Sequence, residues 1–198
     1  MYVQVKSSNG ITMVPIETRL MANRKLFIEG EITPESAVEF AKEIMLLNSE
    51  DAKASIDVFV NSAGGEINSG LLIYDVIQNS EAPIRMYCMG KAYSMAAILV
   101  ASGSHGRYIL PHGEMMIHEP RLSSGVSGSS SSIMSISETL LATKEKLNRI
   151  LAGHTGRTEE EIAAATQFDN FMNPEESVEF GLCDQIITFD MADQDQKI

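Results

Sequence analysis

The chain has 198 residues, the length of one ordinary domain and short for two. Hydrophobic residues make up 44% and charged residues 21%, with a mean hydropathy of -0.02, which excludes the composition of a disordered chain. Against 15 Lys and Arg stand 27 Asp and Glu, so the net charge at pH 7 is -12. A surface this negative repels phosphate backbones and anionic lipids, and we expect neither nucleic acid nor a membrane as a partner.

The two cysteines, Cys88 and Cys183, are too few for a disulfide framework, which favours reduced thiols and a cytoplasmic location. Residues 1–10 lack the basic start and apolar run of a signal peptide. The longest apolar stretch, Met95–Ala101, is far shorter than the roughly 20 residues that a membrane-spanning helix needs. We therefore expect a cytoplasmic chain with a single domain over residues 1–198.

Short apolar runs alternate with helical patterns in the first half of the chain. A predicted strand, Leu26–Gly30, precedes a helix that Thr33 caps and Pro34 begins, with an apolar face at Ala37, Phe40, Ala41, Ile44 and Met45. The next strand, Ile56–Val60, ends in a glycine turn over residues 61–65. A second helix is predicted over Ser69–Gln78, with inward residues Leu72, Ile73, Val76 and Ile77.

The same unit recurs in the middle of the chain. A strand is predicted over Ile84–Met89, ended by Gly90, and a helix over Ser94–Ser102. Two further apolar runs follow, Arg107–Leu110 and Met115–Ile117. Strand, glycine turn and helix recurring at intervals of tens of residues predict an α/β fold, a right-handed succession of similar layers.

The last third of the chain begins with a Ser- and Gly-rich stretch, residues 123–132, which is typical of a mobile loop or weak edge strand. A long amphipathic helix is predicted over residues 133–151, ending at Gly153. Thr158 and Asn173 each begin a shorter helix. Ile186–Phe189 is the last predicted strand, and the polar residues 190–198 are expected to fray.

Ser94 is the first candidate for chemistry, because it stands where a predicted strand turns into a helix. Its hydroxyl there meets free backbone N–H groups and the positive end of the helix dipole, which favour developing negative charge. That environment suits a nucleophile. The alternative is a plain helix N-cap, a role that serine often fills.

His118 is the second candidate, since it ends the apolar run Met115–Ile117 and Pro120 fixes the backbone soon after it. An ordinary pKa of about 6.5 suits a general base, and a hydrogen-bonded structural histidine is the alternative. The other histidines fit surface loops or a helix C-terminus better: His105, His112 and His154.

Asp169 is the third candidate, an acid bracketed by Phe168 and Phe171. We expect this carboxylate to be partly desolvated and to need a partner such as an imidazole N–H. The alternative is a loop aspartate near the cap of the following helix.

The Gly64–Gly65 turn is a candidate through its backbone, because its N–H groups can approach a ligand closely. It lacks the Gly-Lys-Ser/Thr of a P-loop and the third glycine of a dinucleotide fingerprint. An oxyanion-accepting turn remains, with a tight structural turn as the alternative.

These segments, in this order, resemble the ClpP family, the serine peptidase subunits of Clp proteases with the ClpP/crotonase fold. The likeness runs from about Val14 to Ile187, and its matching stretches are Val60–Ile67, Gly70–Asp75, Gly90–Ala97, Arg107–Pro111, Met116–Pro120, His154–Gly156, Asp169–Met172 and Glu176–Asp184. The resemblance implies a superhelix of repeated strand-strand-helix units with a protruding handle helix, in a region of about residues 121–155.

The resemblance also implies the roles of individual residues. Ser94 would be the nucleophile, His118 the general base and acid, and Asp169 the carboxylate that orients the imidazole. The backbone N–H groups of Gly65 and Met95 would form the oxyanion hole. On this interpretation the chain is a serine endopeptidase that cleaves unfolded polypeptides to short peptides inside an oligomeric chamber.

Assembly is implied in the same way. The subunits would form heptameric rings, stacked as a tetradecamer, with the handle helix at the contact between rings. A separate AAA+ unfoldase would use the ATP and feed the chamber, and this subunit would carry no cofactor. Residues 123–132 would lie in the strand that pairs with the substrate backbone.

The chain departs from the family pattern at four places near these motifs: Phe168 stands for an arginine, Glu119 for a glutamine, Ala63 for a proline and Tyr93 for a small residue. The ion pair between rings that this arginine makes in the family is therefore absent or replaced. Residues 123–132 also lack the usual apolar and glycine pattern of the family. Two other functions are therefore kept as alternatives, a non-catalytic or regulatory ring subunit and a crotonase-fold acyl-CoA enzyme. An α/β-hydrolase is disfavoured because Ala92–Ala96 lacks the Gly-x-Ser-x-Gly pattern.

Overall fold

The strands and helices alternate along most of the chain in a computed structural model that describes residues 1–7, 10–122, 125 and 127–188. Within these residues the elements are β1 (Tyr2–Ser7), β2 (Gly10–Pro15), α1 (Ile16–Met21), β3 (Lys25–Ile32), α2 (Pro34–Glu50), β4 (Ile56–Gly65), α3 (Ile67–Gln78), β5 (Ile84–Tyr93), α4 (Met95–Ala101), β6 (Arg107–Ile109), β7 (Glu114–Ile117), α5 (Ser130–Thr155), α6 (Glu159–Ala165), β8 (Asn170–Met172), α7 (Pro174–Phe180) and β9 (Gln185–Ile186). The predicted α/β class is confirmed in this coarse sense. No helix in these ranges combines the length and hydropathy needed to cross a bilayer.

The main sheet is mostly parallel. Strands β3, β4, β5, β6 and β9 lie side by side in that order and run in the same direction. The long strand β5 serves two neighbours, because Met86–Cys88 pairs with β6 and Lys91–Tyr93 pairs with β7. Strand β8 then pairs antiparallel with β7. Strand β7 therefore flanks the carboxyl end of β5, and β8 lies on the far side of β7. A separate hairpin of β1 and β2, which was not predicted from the sequence, precedes the sheet.

The two faces of the central strands carry different side chains, because successive residues of a strand point to opposite faces. Val58, Val60 and Met86 belong to the main core beneath the helices. The intervening residues form a stack of four aromatic rings, with centroids 5.3, 4.9 and 5.0 Å apart in the order Phe27, Phe59, Tyr87 and Tyr108.

Helix α4 lies in the middle of the core, with all seven of its residues, Met95–Ala101, buried. A helix that is apolar all round needs neighbours on every side, and α4 packs against β4, β5, α3 and α5. The residue that begins this helix, Ser94, is therefore attached to a rigid element.

The capped helix starts predicted from the sequence are confirmed. The prediction that two helical residues face the core is wrong. Thr33 accepts from the N–H of Ser36, and Asn173 and Thr158 cap α7 and α6 in the same way. Met45 and Leu72 are exposed, although their spacing predicted burial. On α2 the inward position belongs to Leu47 instead.

The glycines predicted to end three strands do not end them, and β3 runs past Gly30 to Ile32. Strand β4 continues through the predicted turn to Gly65, and β5 continues past Gly90 to Tyr93. Parallel neighbours account for this, since Glu31 and Ile32 of β3 pair with Gly64 and Gly65. Ladder pairing thus outweighs the local preference of glycine for turns.

Helix α5 is longer than predicted at both ends. It begins at Ser130, inside the predicted loop, and runs past Gly153 to Thr155, where Gly156 ends it with a φ of 73°. Residues 123, 124 and 126 of the Ser- and Gly-rich stretch, Phe189 of the last predicted strand and the tail over 190–198 lie outside the described residues.

The Arg107 guanidinium joins three separate segments. Its Nη1 donates to the carbonyls of His154, 2.8 Å away, and Gly181, 2.7 Å away, while Nη2 lies 2.5 Å from the carboxylate of Asp184. We predict that Arg107→Ala lowers the free energy of unfolding by about 2–4 kcal/mol, because two half-buried carbonyl acceptors lose a charged donor. Urea denaturation measures this loss.

An exposed arginine provides the control for that measurement. Arg149 contacts Glu159 at 3.6 Å on the surface, so Arg149→Ala is expected to change stability by about 0.5 kcal/mol or less. Equal effects of the two substitutions would contradict the role given to Arg107.

Candidate active site

The pairing of three strands brings Ser94, His118 and Asp169 together. Tyr93 pairs with Met116, and Ile117 pairs with Asn170. Each candidate residue stands one position beyond those pairs, at the end of β5, the end of β7 and the start of β8. Sheet register therefore gathers residues that are far apart along the chain.

Ser94 occupies an unusual backbone conformation, with φ 55° and ψ -124°. A positive φ is rare for a residue with a Cβ and costs on the order of 1–3 kcal/mol. Its N–H donates to the carbonyl of Met116 at 2.8 Å, which fixes the residue against β7. The Ser94 side chain makes no cap hydrogen bond to α4, so the alternative of a plain N-cap serine is wrong.

The Ser94 hydroxyl instead meets the imidazole of His118, with Oγ 2.8 Å from Nε2. The His118 side chain is only 15% exposed. Burial lowers the pKa of His118 below its ordinary value of 6.5, and the nearby Arg121 cation lowers it further against the opposing effect of Asp169 and Glu119. The imidazole is therefore neutral at pH 7, the state in which a base accepts a proton.

Asp169 lies on the other side of the imidazole, with Oδ1 3.4 Å from His118 Nδ1. That separation is longer than an ordinary N–H···O hydrogen bond. The expected desolvation by phenylalanines is wrong, because Phe168 is 76% exposed and the Asp169 side chain is 42% exposed. Phe171 is also exposed, at 52%.

Arg121 is a functional-site residue that was not predicted from the sequence. Its Nε donates to His118 Nδ1 at 2.7 Å, and its Nη2 lies 2.5 Å from the same nitrogen. Nη2 also donates to Asp169 Oδ1. A cation three residues after a candidate base, just past Pro120, is the signal in the sequence that indicates such a contact.

The Gly64–Gly65 backbone passes directly beside the serine. A Cβ added to Gly64 would lie 2.7 Å from the Tyr93 carbonyl oxygen, 2.9 Å from the Ser94 Cβ and 3.2 Å from the Met95 nitrogen. Gly64 also has a φ of 91°. Only glycine permits this approach, which places the chain at Gly64 directly beside Ser94 and Met95.

Two neighbouring residues that depart from the family pattern have partners of their own. Tyr93 donates to Glu114, which raises the pKa of Tyr93 to about 12, and its ring contacts Phe171 edge-on at 5.5 Å. Glu119 pairs with Lys144 of α5 at 2.5 Å. These contacts tie β8 and α5 to the strands that carry the candidate residues.

The remaining histidines lie apart from this cluster. His105 and His112 are exposed, as predicted. His154 lies in the last turn of α5 and shares a 3.0 Å hydrogen bond with the Tyr74 hydroxyl. The C-terminal cap of this helix is Gly156 rather than His154.

Comparison with known proteins identifies the family. The Clp protease family model matches residues 8–190. An ATP-dependent Clp protease proteolytic subunit of Bdellovibrio bacteriovorus is 38% identical over 188 residues, which cover 94% of this chain and 89% of that protein. The ATP-dependent Clp protease proteolytic subunit 2 of Chlamydia trachomatis serovar D is 38% identical over 198 residues, 100% of this chain and 97% of that protein. The chain belongs to the Clp protease family.

Proposed function

We propose that this proteolytic subunit of an ATP-dependent protease is a serine endopeptidase, with Ser94 as nucleophile, His118 as general base and acid, and Asp169 as the orienting carboxylate. The observation that carries the proposal is the 2.8 Å contact between Ser94 Oγ and His118 Nε2. The strained backbone of Ser94 supports it, because such strain clusters at active sites.

The reaction begins when Ser94 Oγ attacks the carbonyl carbon of a peptide bond while His118 Nε2 takes the hydroxyl proton. The tetrahedral oxyanion then collapses, the C–N bond breaks, and His118 returns the proton to the leaving amine. Water attacks the acyl-enzyme by the same route, releasing the carboxylic acid and restoring the serine hydroxyl. Asp169 stabilises the imidazolium that forms between these steps.

The Gly65 and Met95 N–H groups are proposed to bind the oxyanion. The close packing of Gly64 against Ser94 and Met95 supports this assignment. Backbone donors held by β4 and α4 need no rearrangement as charge develops, which is the condition for strong transition-state stabilisation.

The substrate is proposed to be an unfolded polypeptide. A groove with a volume of about 340 Å³ borders the site between α3 and α5, and its apolar walls are Ile67, Leu122, Ile136 and Leu140. Such walls accept apolar side chains without strict sequence selection. Residues 130–132 belong to α5 and cannot pair as a strand, so the part of the Ser- and Gly-rich stretch that precedes Ser130 is proposed to pair with the substrate backbone.

Assembly into stacked heptameric rings is proposed, with the fold a ClpP/crotonase superhelix and α5 its handle. Large apolar side chains are exposed on α5 and next to Asp169, and an oligomer would cover them: Ile133, Met134, Leu141, Phe168 and Phe171. An AAA+ unfoldase is proposed to use ATP and deliver substrate, because the relatives that the chain matches are named proteolytic subunits of an ATP-dependent protease. A reducing cytoplasm suits Cys88 and Cys183, which are free and buried thiols.

The activity of this site is expected to fall on the acid side of neutrality. His118 must be neutral to act as a base, and its pKa lies below 6.5. The value of kcat/KM for a fluorogenic peptide should therefore be constant near neutral pH and fall as the pH drops through the His118 pKa. An acid limb centred above 6.5 would contradict the assignment of His118 as this base.

Labelling with a fluorophosphonate tests the proposed nucleophile. The reagent is expected to form a stable adduct on Ser94, located by peptide mass spectrometry, and the adduct should be lost in His118→Ala. His105→Ala, which changes an exposed histidine, is the matched control and should label normally. An acyl-CoA enzyme that does not use the three residues together would show no such dependence on His118.

A further inference from the structure

The guanidinium of Arg121 lies between His118 and Asp169. It donates from two nitrogens toward His118 Nδ1, at 2.7 and 2.5 Å, and from Nη2 to Asp169 Oδ1. The direct distance from imidazole to carboxylate is 3.4 Å. The arginine thus takes the place of the imidazole–carboxylate hydrogen bond on which a serine peptidase depends.

This arrangement fixes the position of the imidazole proton. Arginine carries donors only and stays charged, so His118 Nδ1 must act as an acceptor and holds no proton. A neutral imidazole has one N–H, which is then on Nε2 and points to Ser94 Oγ at 2.8 Å. Nε2 in this tautomer has no lone pair with which to take the serine proton.

Catalysis needs the opposite tautomer, with the proton on Nδ1 donated to Asp169 and the lone pair of Nε2 facing Ser94. We propose that Arg121 is a positioning residue that holds His118 in the inactive tautomer, and that the site becomes competent when the guanidinium withdraws and Nδ1–H bonds to Asp169. This inference rests on the proposed serine peptidase function.

The surroundings of Arg121 allow it to withdraw. Its side chain is 57% exposed, so water can replace the hydrogen bonds that it gives up, and exposed ion pairs of this kind are weak. Arg121 borders two open spaces, one beside Asp169 and Phe168 and the other the groove between α3 and α5. The guanidinium therefore has room on the groove side when it leaves Asp169.

Substitution of Arg121 by methionine tests the proposal, because methionine keeps an unbranched stem and loses every donor. The measured rate is proportional to the fraction of molecules whose site is competent. If about one molecule in ten is competent in the wild type, releasing the rest raises the rate about tenfold. We expect Arg121→Met to increase both kcat/KM for a fluorogenic peptide and the rate of fluorophosphonate labelling at Ser94 by about that factor. Arg121→Lys, which restores a charged donor, should return toward the wild-type rate. Arg149→Met, at an exposed arginine of α5, should leave both rates unchanged.

Two further measurements would not change if Arg121 had only a structural role. Nitrogen-15 NMR of the His118 ring should show the proton on Nε2 in the wild type and on Nδ1 in Arg121→Met. The acid limb of the rate should also shift to higher pH in the variant, because the Arg121 cation that lowers the His118 pKa is gone. The charges that still face His118 are then Asp169 and Glu119, and Glu119 is paired with Lys144.

The outcomes separate this proposal from the proposed function. Labelling of Ser94 at an equal or lower rate in Arg121→Met, or a wild-type imidazole already protonated on Nδ1, would overturn the arginine's role and leave the serine peptidase standing. Absence of any adduct on Ser94 in both proteins would reject the peptidase mechanism and the inference with it. The wild-type NMR measurement gives its answer even if the variant does not fold.

Discussion

Replacing Ser94 by alanine is expected to reduce peptide cleavage by roughly 10⁴-fold or more, to a level near background. The substitution removes the only atom that the mechanism uses to attack the carbonyl, and no other group in the site takes its place in the acyl-enzyme. The Ser94 hydroxyl contacts His118 and does not cap α4, so the fold loses little. Fluorogenic peptide hydrolysis measures the activity, and light scattering checks that assembly is unchanged.

Ser49 offers a matched control, because it is an exposed serine on α2 whose hydroxyl bonds only within its own helix, to the Leu46 carbonyl. Ser49→Ala should retain wild-type turnover. Turnover at the wild-type level in Ser94→Ala would refute the assignment of the nucleophile.

Gly64→Ala is expected to have the second largest effect on activity, because it crowds the backbone beside the nucleophile. The new Cβ would lie 2.7 Å from the Tyr93 carbonyl oxygen, and the φ of 91° is unfavourable for alanine. We expect a loss of about 2 kcal/mol or more of unfolding free energy from strain and overpacking. Displacement of the oxyanion donors should lower kcat by about 10²-fold. Urea denaturation and peptide kinetics on the same preparation measure the two effects.

A substitution at Gly156 is the control that distinguishes the effect of backbone strain from the effect of crowding the site. Gly156 also has a positive φ, 73°, but a Cβ there would meet nothing within 4 Å. Gly156→Ala should therefore cost about 1 kcal/mol of stability and leave kcat unchanged. A Gly64→Ala enzyme as active as Gly156→Ala would argue against the glycine turn as a catalytic element.

The helix starts were predictable from the sequence because their signals are local. Thr33 with Ser36 and Thr158 with Glu161 form reciprocal hydrogen bonds within one turn, so residue type and spacing suffice. The ends of β4 and β5 were not predictable in this way. Their extension to Gly65 and Tyr93 depends on β3 and β7, which approach only in the folded chain.

The candidate site shows the same division between local and distant information. The strand-to-helix position of Ser94 and the strand-end position of His118 follow from neighbouring residues. The environment of Asp169 does not, because Phe168 is exposed and the Phe171 ring contacts Tyr93. The Arg121 contact with Asp169 also depends on distant residues, because the antiparallel pairing of β7 with β8 is what brings Asp169 to the end of β7.

The central claim is that Ser94, His118 and two backbone donors act on one carbonyl group. A structure of the protein inactivated by a peptidyl chloromethyl ketone tests it most directly, because that reagent reacts with a serine at its carbonyl carbon and with a histidine at its methylene carbon. We predict one adduct bonded to both Ser94 Oγ and His118 Nε2, with its oxygen about 3 Å from the N–H groups of Gly65 and Met95. An adduct on other residues, or an oxygen directed away from both N–H groups, would contradict the mechanism.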